Sequence, residues 1–350
     1  MTMHKAVSFK NLYIILYDSQ KACTSIGNIV NCSQYSPMHL IKFIQTYDTE
    51  LKCSELFKEI RDKEGVSCKR CGGTSHYWLG TRDRYRCKQC KWETTLRSGT
   101  ALEYSKLPYK YWLYAMAILA SSKKPVSALE IQRILGHKFY APVWAMLHKL
   151  RVSMGHRDAS YKLKDFVEAD DAQFEVSKTK EETRNNKRGA GSKGKAKVAV
   201  QAQTVPAKDL RVKGKKAKGS FKYVKMSTVE NIRAESLIPV IKAGVDENAT
   251  VKTDGGKGYV TSMMPVASHL KRTMKGKEAV KHLPWVHIMI SNAKRNILGV
   301  HHSVKEEYLQ NYLNEYCYMT NRRYLVEKKL DGLIALAASK PWYQPYVQPS

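Results

Sequence analysis

Phe166-Val167-Glu168-Ala169-Asp170-Asp171-Ala172-Gln173-Phe174-Glu175-Val176 has the apolar spacing of a strand and carries acids at its centre. Carboxylates are costly in that setting, because strand propensity and burial both disfavour Asp unless something cationic meets it. A divalent metal is one such compensation. A solvated acidic face on an edge strand fits the same eleven residues, so the choice rests on the rest of the chain.

The chain has 350 residues, enough for two or three domains with real cores, and its 43% hydrophobic share excludes a disordered polymer. Its formal net charge is +29 and its pI is near 9.7. Such a field favours a polyanion, since each phosphate neutralised releases counterions. Nucleic acid is the first expectation and an anionic membrane surface the second. No apolar run approaches the ~18 residues of a membrane span, and Leu12–Tyr17 is too short for one. Without a signal peptide, the expected compartment is a reducing cytoplasm, with the protein on the nucleoid.

Residues 1–64 give a leader and one or two amphipathic helices of unclear role, from apolar spacing such as Phe43, Ile44, Leu56, Phe57 and Ile60. Of the eight cysteines, Cys68, Cys71, Cys87 and Cys90 form two tight pairs about fifteen residues apart. That spacing predicts a structural zinc ribbon over 65–98, with hairpin strands at Tyr77-Trp78 and Tyr85-Arg86 and a basic surface. Residues 105–157 read as three helices. Pro108 opens the first, Ser127 with Glu130 forms a capping box for the second, and Gly136 separates it from the third. The pattern fits a helix-turn-helix, in which His148, Lys149 and Arg151 would face DNA, and equally an ordinary helical bundle.

Residues 177–197 make a basic loop whose Lys193 and Lys195 are candidate DNA contacts. Val198–Val205 and Phe221–Val229 read as strands, Asn231–Lys242 as a helix and Ala249–Asp254 as a strand. Strand, strand, strand, helix, strand is the order of a ribonuclease-H-like α/β domain, here 163–330, with 331–350 as a tail. In that order the first and fourth strands lie side by side and bring Asp170 and Asp254 to one point.

Several pieces resemble bacterial insertion-sequence transposases of the DDE superfamily that carry an N-terminal zinc ribbon. They are Cys68–Cys90, Val126–Glu130, Val167–Asp171, Lys252-Thr253-Asp254-Gly255 with Tyr259, Gly299–Val304, Tyr312–Tyr316 and Asn321-Arg322-Arg323. The resemblance implies two-metal phosphoryl transfer on double-stranded DNA, both element ends and target, by a homo-oligomer. Asp170 and Asp254 would hold Mg2+ or Mn2+, with Asp171 as the alternative to Asp170. The expected Glu upstream of a Lys is absent from His287–Arg295. The resemblance is to an Asp-Asp-Asn-Lys variant, with Asn292 as third ligand and Lys294 as phosphate contact. His287 is the second choice for the third position, and Asn292 also suits a plain helix N-cap. Glu306, Glu307 and Glu315 are expected to serve as surface charges and in a structural salt bridge with Arg322 or Arg323. The competing functions are a catalytically inactive DNA-binding regulator and a ribonuclease of similar fold.

Overall fold

The acidic stretch is a strand, and it lies inside a sheet rather than at its edge. The structure, a computed structural model, describes residues 40–177, 195–205, 211–212, 215–216, 220–273, 282–325 and 328–339. Lys193, most of the basic loop, Leu12–Tyr17 and the final residues fall outside that set.

Two helices lead in, α1 (Leu40–Thr46) and α2 (Glu50–Glu64), followed by a three-stranded antiparallel sheet of β1 (His76–Leu79), β2 (Arg84–Cys87) and β3 (Glu93–Thr95). The buried Arg61 of α2 donates to the carbonyls of Leu96 and Ser98, which fastens this small sheet to the helices. Three helices follow: α3 (Tyr109–Ser121), α4 (Ala128–Leu135) and α5 (Tyr140–Ala159). The Ser127 hydroxyl accepts from the Glu130 amide, and Gly136 ends α4 at φ +65°, a conformation that suits glycine.

The central sheet contains β4 (Phe166–Glu175), β5 (Lys195–Val205), β8 (Ser220–Val229), β9 (Thr250–Thr253) and β10 (Ser268–Lys271), with the two-residue pair β6 (Arg211–Val212) and β7 (Lys215–Lys216) between β5 and β8. Its order is β10-β9-β4-β5-β8, with β4, β5 and β8 antiparallel and β9 and β10 parallel to β4. This is the mixed α/β sheet expected from the strand order. Helix α6 (Ala234–Gly244) covers one face; α7 (Pro284–His301) and α8 (Glu306–Asn321) cover the other. Side chains alternate along β4 accordingly. Val167 and Ala169 join the α6 core, while Ala172, Phe174 and Val176 join the core under α7 and α8.

Three expectations change. Residues 331–339 are not a tail: Lys329–Ser339 forms α9, which packs on α2, α3 and α5. Helix α5 is an interior helix gripped by α8 and α9, so His148 and Arg151 are buried and cannot reach a groove. Lys149 donates to the Glu103 carbonyl at 2.6 Å. Glu315 pairs with Arg151 at 2.6 Å, both almost fully buried, whereas Arg322 pairs with Asp158 at 2.8 Å.

Removing one partner of a buried pair leaves an uncompensated charge. Arg151→Met is therefore expected to lower the unfolding free energy by about 3–5 kcal/mol, and the double variant with Glu315→Leu to recover most of it. Urea denaturation of both proteins measures this.

Candidate functional site

The parallel pairing of β4 with β9 sets Phe166 beside Thr250 and Glu168 beside Lys252. Continuing that register two residues brings Asp254, the first residue past β9, alongside Asp170. Gly255 then turns the chain at φ +89°, where a Cβ would strike the Thr273 backbone, and the Gly256 amide donates to Asp254 Oδ1 at 2.9 Å. The fully buried Thr253 just before it shares a 2.9 Å hydrogen bond with His269 Nε2.

Alternation puts Asp170 and Glu168 on the face that α7 crosses and Asp171 on the other. Glu168 is buried, and one oxygen accepts the amides of Trp285 at 2.8 Å and Val286 at 3.0 Å. Those amides open α7, a helix with Pro284 in its first turn and no side-chain cap of its own. A carboxylate at a helix N-terminus satisfies free donors and meets the positive end of the dipole. The one sequence signal for this role is an acid two residues from Asp170 on the same strand face.

The clamp carries His287 over Asp170. His287 Nδ1 lies 3.7 Å from Asp170 Oδ2, and His287 is the one cationisable side chain within ion-pair distance of Asp170 among the described residues. Its Nε2 is buried without a hydrogen-bond partner there. Burial lowers the pKa of His287, which favours the neutral imidazole. Asp170 is pushed up to about 7, first by burial, then by the charges of Asp254 and Asp171. Burial and Asp254 also raise Asp171. Beneath them, fully buried Tyr259 is raised by burial and then by all three aspartates, so these charges converge on one place.

Asn292 is not an N-cap but sits within α7, and its Oδ1 accepts from Arg295 at 2.8 Å. Lys294 is exposed; its ammonium lies 5.6 Å from the Phe174 ring centroid. Its pKa is lowered by burial and then by the charge of Lys195, which places that second candidate nearby. Exposed cations and aromatics that were not singled out, Arg133, Lys138, Phe139 and Tyr140, occupy the α4–α5 turn.

The four thiolates of Cys68, Cys71, Cys87 and Cys90 lie within 4.8 Å of one another; among the described residues no other three metal-binding side chains gather so tightly. Backbone amides of Cys71 and Arg70 lower Cys68 to about 6, and those of Cys90 and Gln89 lower Cys87. Cys71, although the Gly73 amide lowers it, is pushed up to about 12 by the neighbouring sulfurs and burial, so the zinc reading rests on four sulfurs in tetrahedral number.

Residues 162–321 match the family of ISXO2-like transposase domains, and residues 48–93 match the transposase zinc-ribbon domain. The chain is thus similar to ISXO2-like transposases over one segment and to a transposase zinc ribbon over another, each less than half of its length. A stretch of 127 residues is also 24% identical to an uncharacterized protein in transposable element ISH50 of Halobacterium salinarum. That match covers 35% of this chain and 43% of the relative, less than half its length. Among the described residues, no helix is long and apolar enough to cross a membrane.

The contacts of Glu168 and Asp170 set two expected outcomes. Glu168→Ala should cost about 1–3 kcal/mol in denaturant unfolding by orphaning two amides, and Glu168→Gln less, since its amide oxygen still accepts. Asp170 holds a proton in the folded state up to about pH 7, but in the unfolded chain only to about 3.9. Stability without added divalent ions should therefore fall as pH rises across that window. Asp170→Asn should exceed the wild type at pH 8 and converge with it near pH 4, as followed by thermal melts.

Proposed function

We propose that this protein is a transposase that cuts DNA at the ends of its own insertion element and joins them to a target, using Asp170 and Asp254 as metal ligands. The observation that carries the reading is the buried Asp170 on β4 with the half-buried Asp254 just past the neighbouring parallel strand, the charge of Asp254 helping to raise Asp170, and no lysine or arginine paired to Asp170 among the described residues. Buried carboxylates of this kind demand a cation. Oxygen donors suit Mg2+ or Mn2+, so the residues present fit the ions that a DDE domain implies. When bound, such ions activate water or a DNA 3′-hydroxyl and stabilise the departing 3′ oxygen.

The chain's own groups supply position and charge. Lys294 and Lys195 present two neighbouring ammonium groups for the phosphate backbone. Asp171, on the face of β4 opposite Asp170, adds negative charge that keeps Asp170 and Asp254 selective for a cation. The ribbon exposes Arg70, Arg82, Arg84, Lys88 and Lys91, and the α4–α5 turn exposes Arg133 and Lys138. In this reading the helix-turn-helix meets DNA through that turn and the start of α5, and the ribbon adds phosphate contacts. Two element ends must be held together for joining, so the active species is a homo-oligomer.

The terminal inverted repeats flanking the gene define the substrate. A duplex carrying them, with Mg2+ or Mn2+, should be cleaved at the element boundary and joined to target DNA. Asp170→Asn and Asp254→Asn should each reduce cleavage by about three orders of magnitude while leaving gel-shift binding intact. Binding without cleavage by the wild type would leave the regulator instead, and preferential cutting of an RNA–DNA hybrid would point to a ribonuclease.

A further inference from the structure

We propose that His287 supplies the third metal ligand beside Asp170 and Asp254, and that this two-carboxylate, one-imidazole set takes Mn2+ in preference to Mg2+. The inference rests on the transposase reading and specifies its metal site.

Helix phase separates the two candidates for the third position. At 3.6 residues per turn, Lys294 lies two turns beyond His287 and about 20° from it around the axis, whereas Asn292 is turned about 140° away. Because the Glu168 clamp fixes the start of α7 against β4, the face that meets Asp170 is the one bearing His287 and Lys294. Asn292 instead holds Arg295.

The state of the imidazole adds a second, independent sign. At 3.7 Å, His287 Nδ1 is beyond hydrogen-bond reach of Asp170, and Nε2 has no partner among the described residues although it is buried. The buried carboxylate has no lysine or arginine against it among the described residues, and the 3.7 Å between it and Nδ1 is too long for a hydrogen bond but open to a bridging ion. A cation between Nδ1 and Oδ2 would satisfy the carboxylate and that nitrogen.

The choice of ion follows from donor chemistry. Mg2+ is hard and dehydrates reluctantly, so it favours carboxylates and water; Mn2+ accepts the same oxygens and stands higher in affinity for mixed nitrogen and oxygen sites. A Glu in place of His287 would remove that bias.

The test uses the full-length, zinc-loaded protein with Mn2+ as probe. Free Mn2+ is followed by electron paramagnetic resonance, and bound Mn2+ by pulsed measurement of nitrogen modulation from a coordinated imidazole. The wild type should bind Mn2+ with that modulation. His287→Ala should abolish the modulation and weaken binding by about tenfold or more, whereas Asn292→Ala should change neither. His287→Glu should also lose the modulation, but bind Mn2+ and shift Mg2+ competition toward Mg2+ by about tenfold. Modulation that survives in His287→Ala and vanishes in His282→Ala would overturn the assignment, because His282 Nε2 is also buried and unpartnered and Asp254 acts on it. Loss of binding in Asn292→Ala would overturn it in favour of the amide. Mn2+ binding indifferent to Asp170→Asn and Asp254→Asn would instead sink the underlying reading of the site.

Discussion

Two backbone amides at the start of α7 converge on the buried carboxylate of Glu168, and the arrangement of the candidate site depends on that contact. The contact spans 117 residues of sequence and fixes where a helix begins relative to a strand. Asp170 follows two residues later on the same face of β4, so the first turn of the helix has to pass over it. The same device recurs at α3, whose Tyr109 and Lys110 amides donate to the Glu50 carboxylate of α2 at 2.7 and 2.9 Å. Both helices open around a proline and have no side-chain cap of their own. Each therefore takes its N-terminal acceptor from another element, which turns a local requirement of helix ends into a tertiary constraint.

Charge is sorted in the opposite sense from the whole molecule. A chain with a formal charge of +29 places two acids, Glu168 and Asp170, inside at the centre of a sheet, and its lysines and arginines mostly outside. Burial and then the charge of Asp254 raise Asp170 and Asp171, and among the described residues no lysine or arginine pairs with either. A site of this kind is electrostatically unfinished without a cation, while the exterior attracts the polyanion on which the cation would act.

Much of this was legible from local pattern. The cysteine spacing announced the ribbon, and the strand order placed β4 beside β9, because hydrophobic period and ligand spacing are properties of short segments. The capping box at Ser127 was equally local. What failed were features decided by distant partners. His148 and Arg151 looked like an exposed cationic face because nothing nearby in sequence reveals that α8 covers them with Glu315 and Asn311. Residues 331–339 passed for a tail because the helix they complete packs on α2 and α3, far earlier in the chain. Asn292 rested on the resemblance to an Asp-Asp-Asn-Lys variant; its side-chain direction depends on where α7 starts, which the Glu168 contact with the Trp285 and Val286 amides sets.

The Arg151–Glu315 pair has a consequence for how the protein is made. Its partners are 164 residues apart. At a synthesis rate of ~5–20 residues per second, α5 leaves the ribosome on the order of ten seconds before the helix that neutralises its arginine exists. During that interval the ribbon has all its ligands and can close on zinc, whereas α5 still lacks a wall of its core. Nascent chains of this protein therefore carry a finished metal knuckle ahead of an unfinished helical layer, and that layer is the one that needs shelter from chaperones.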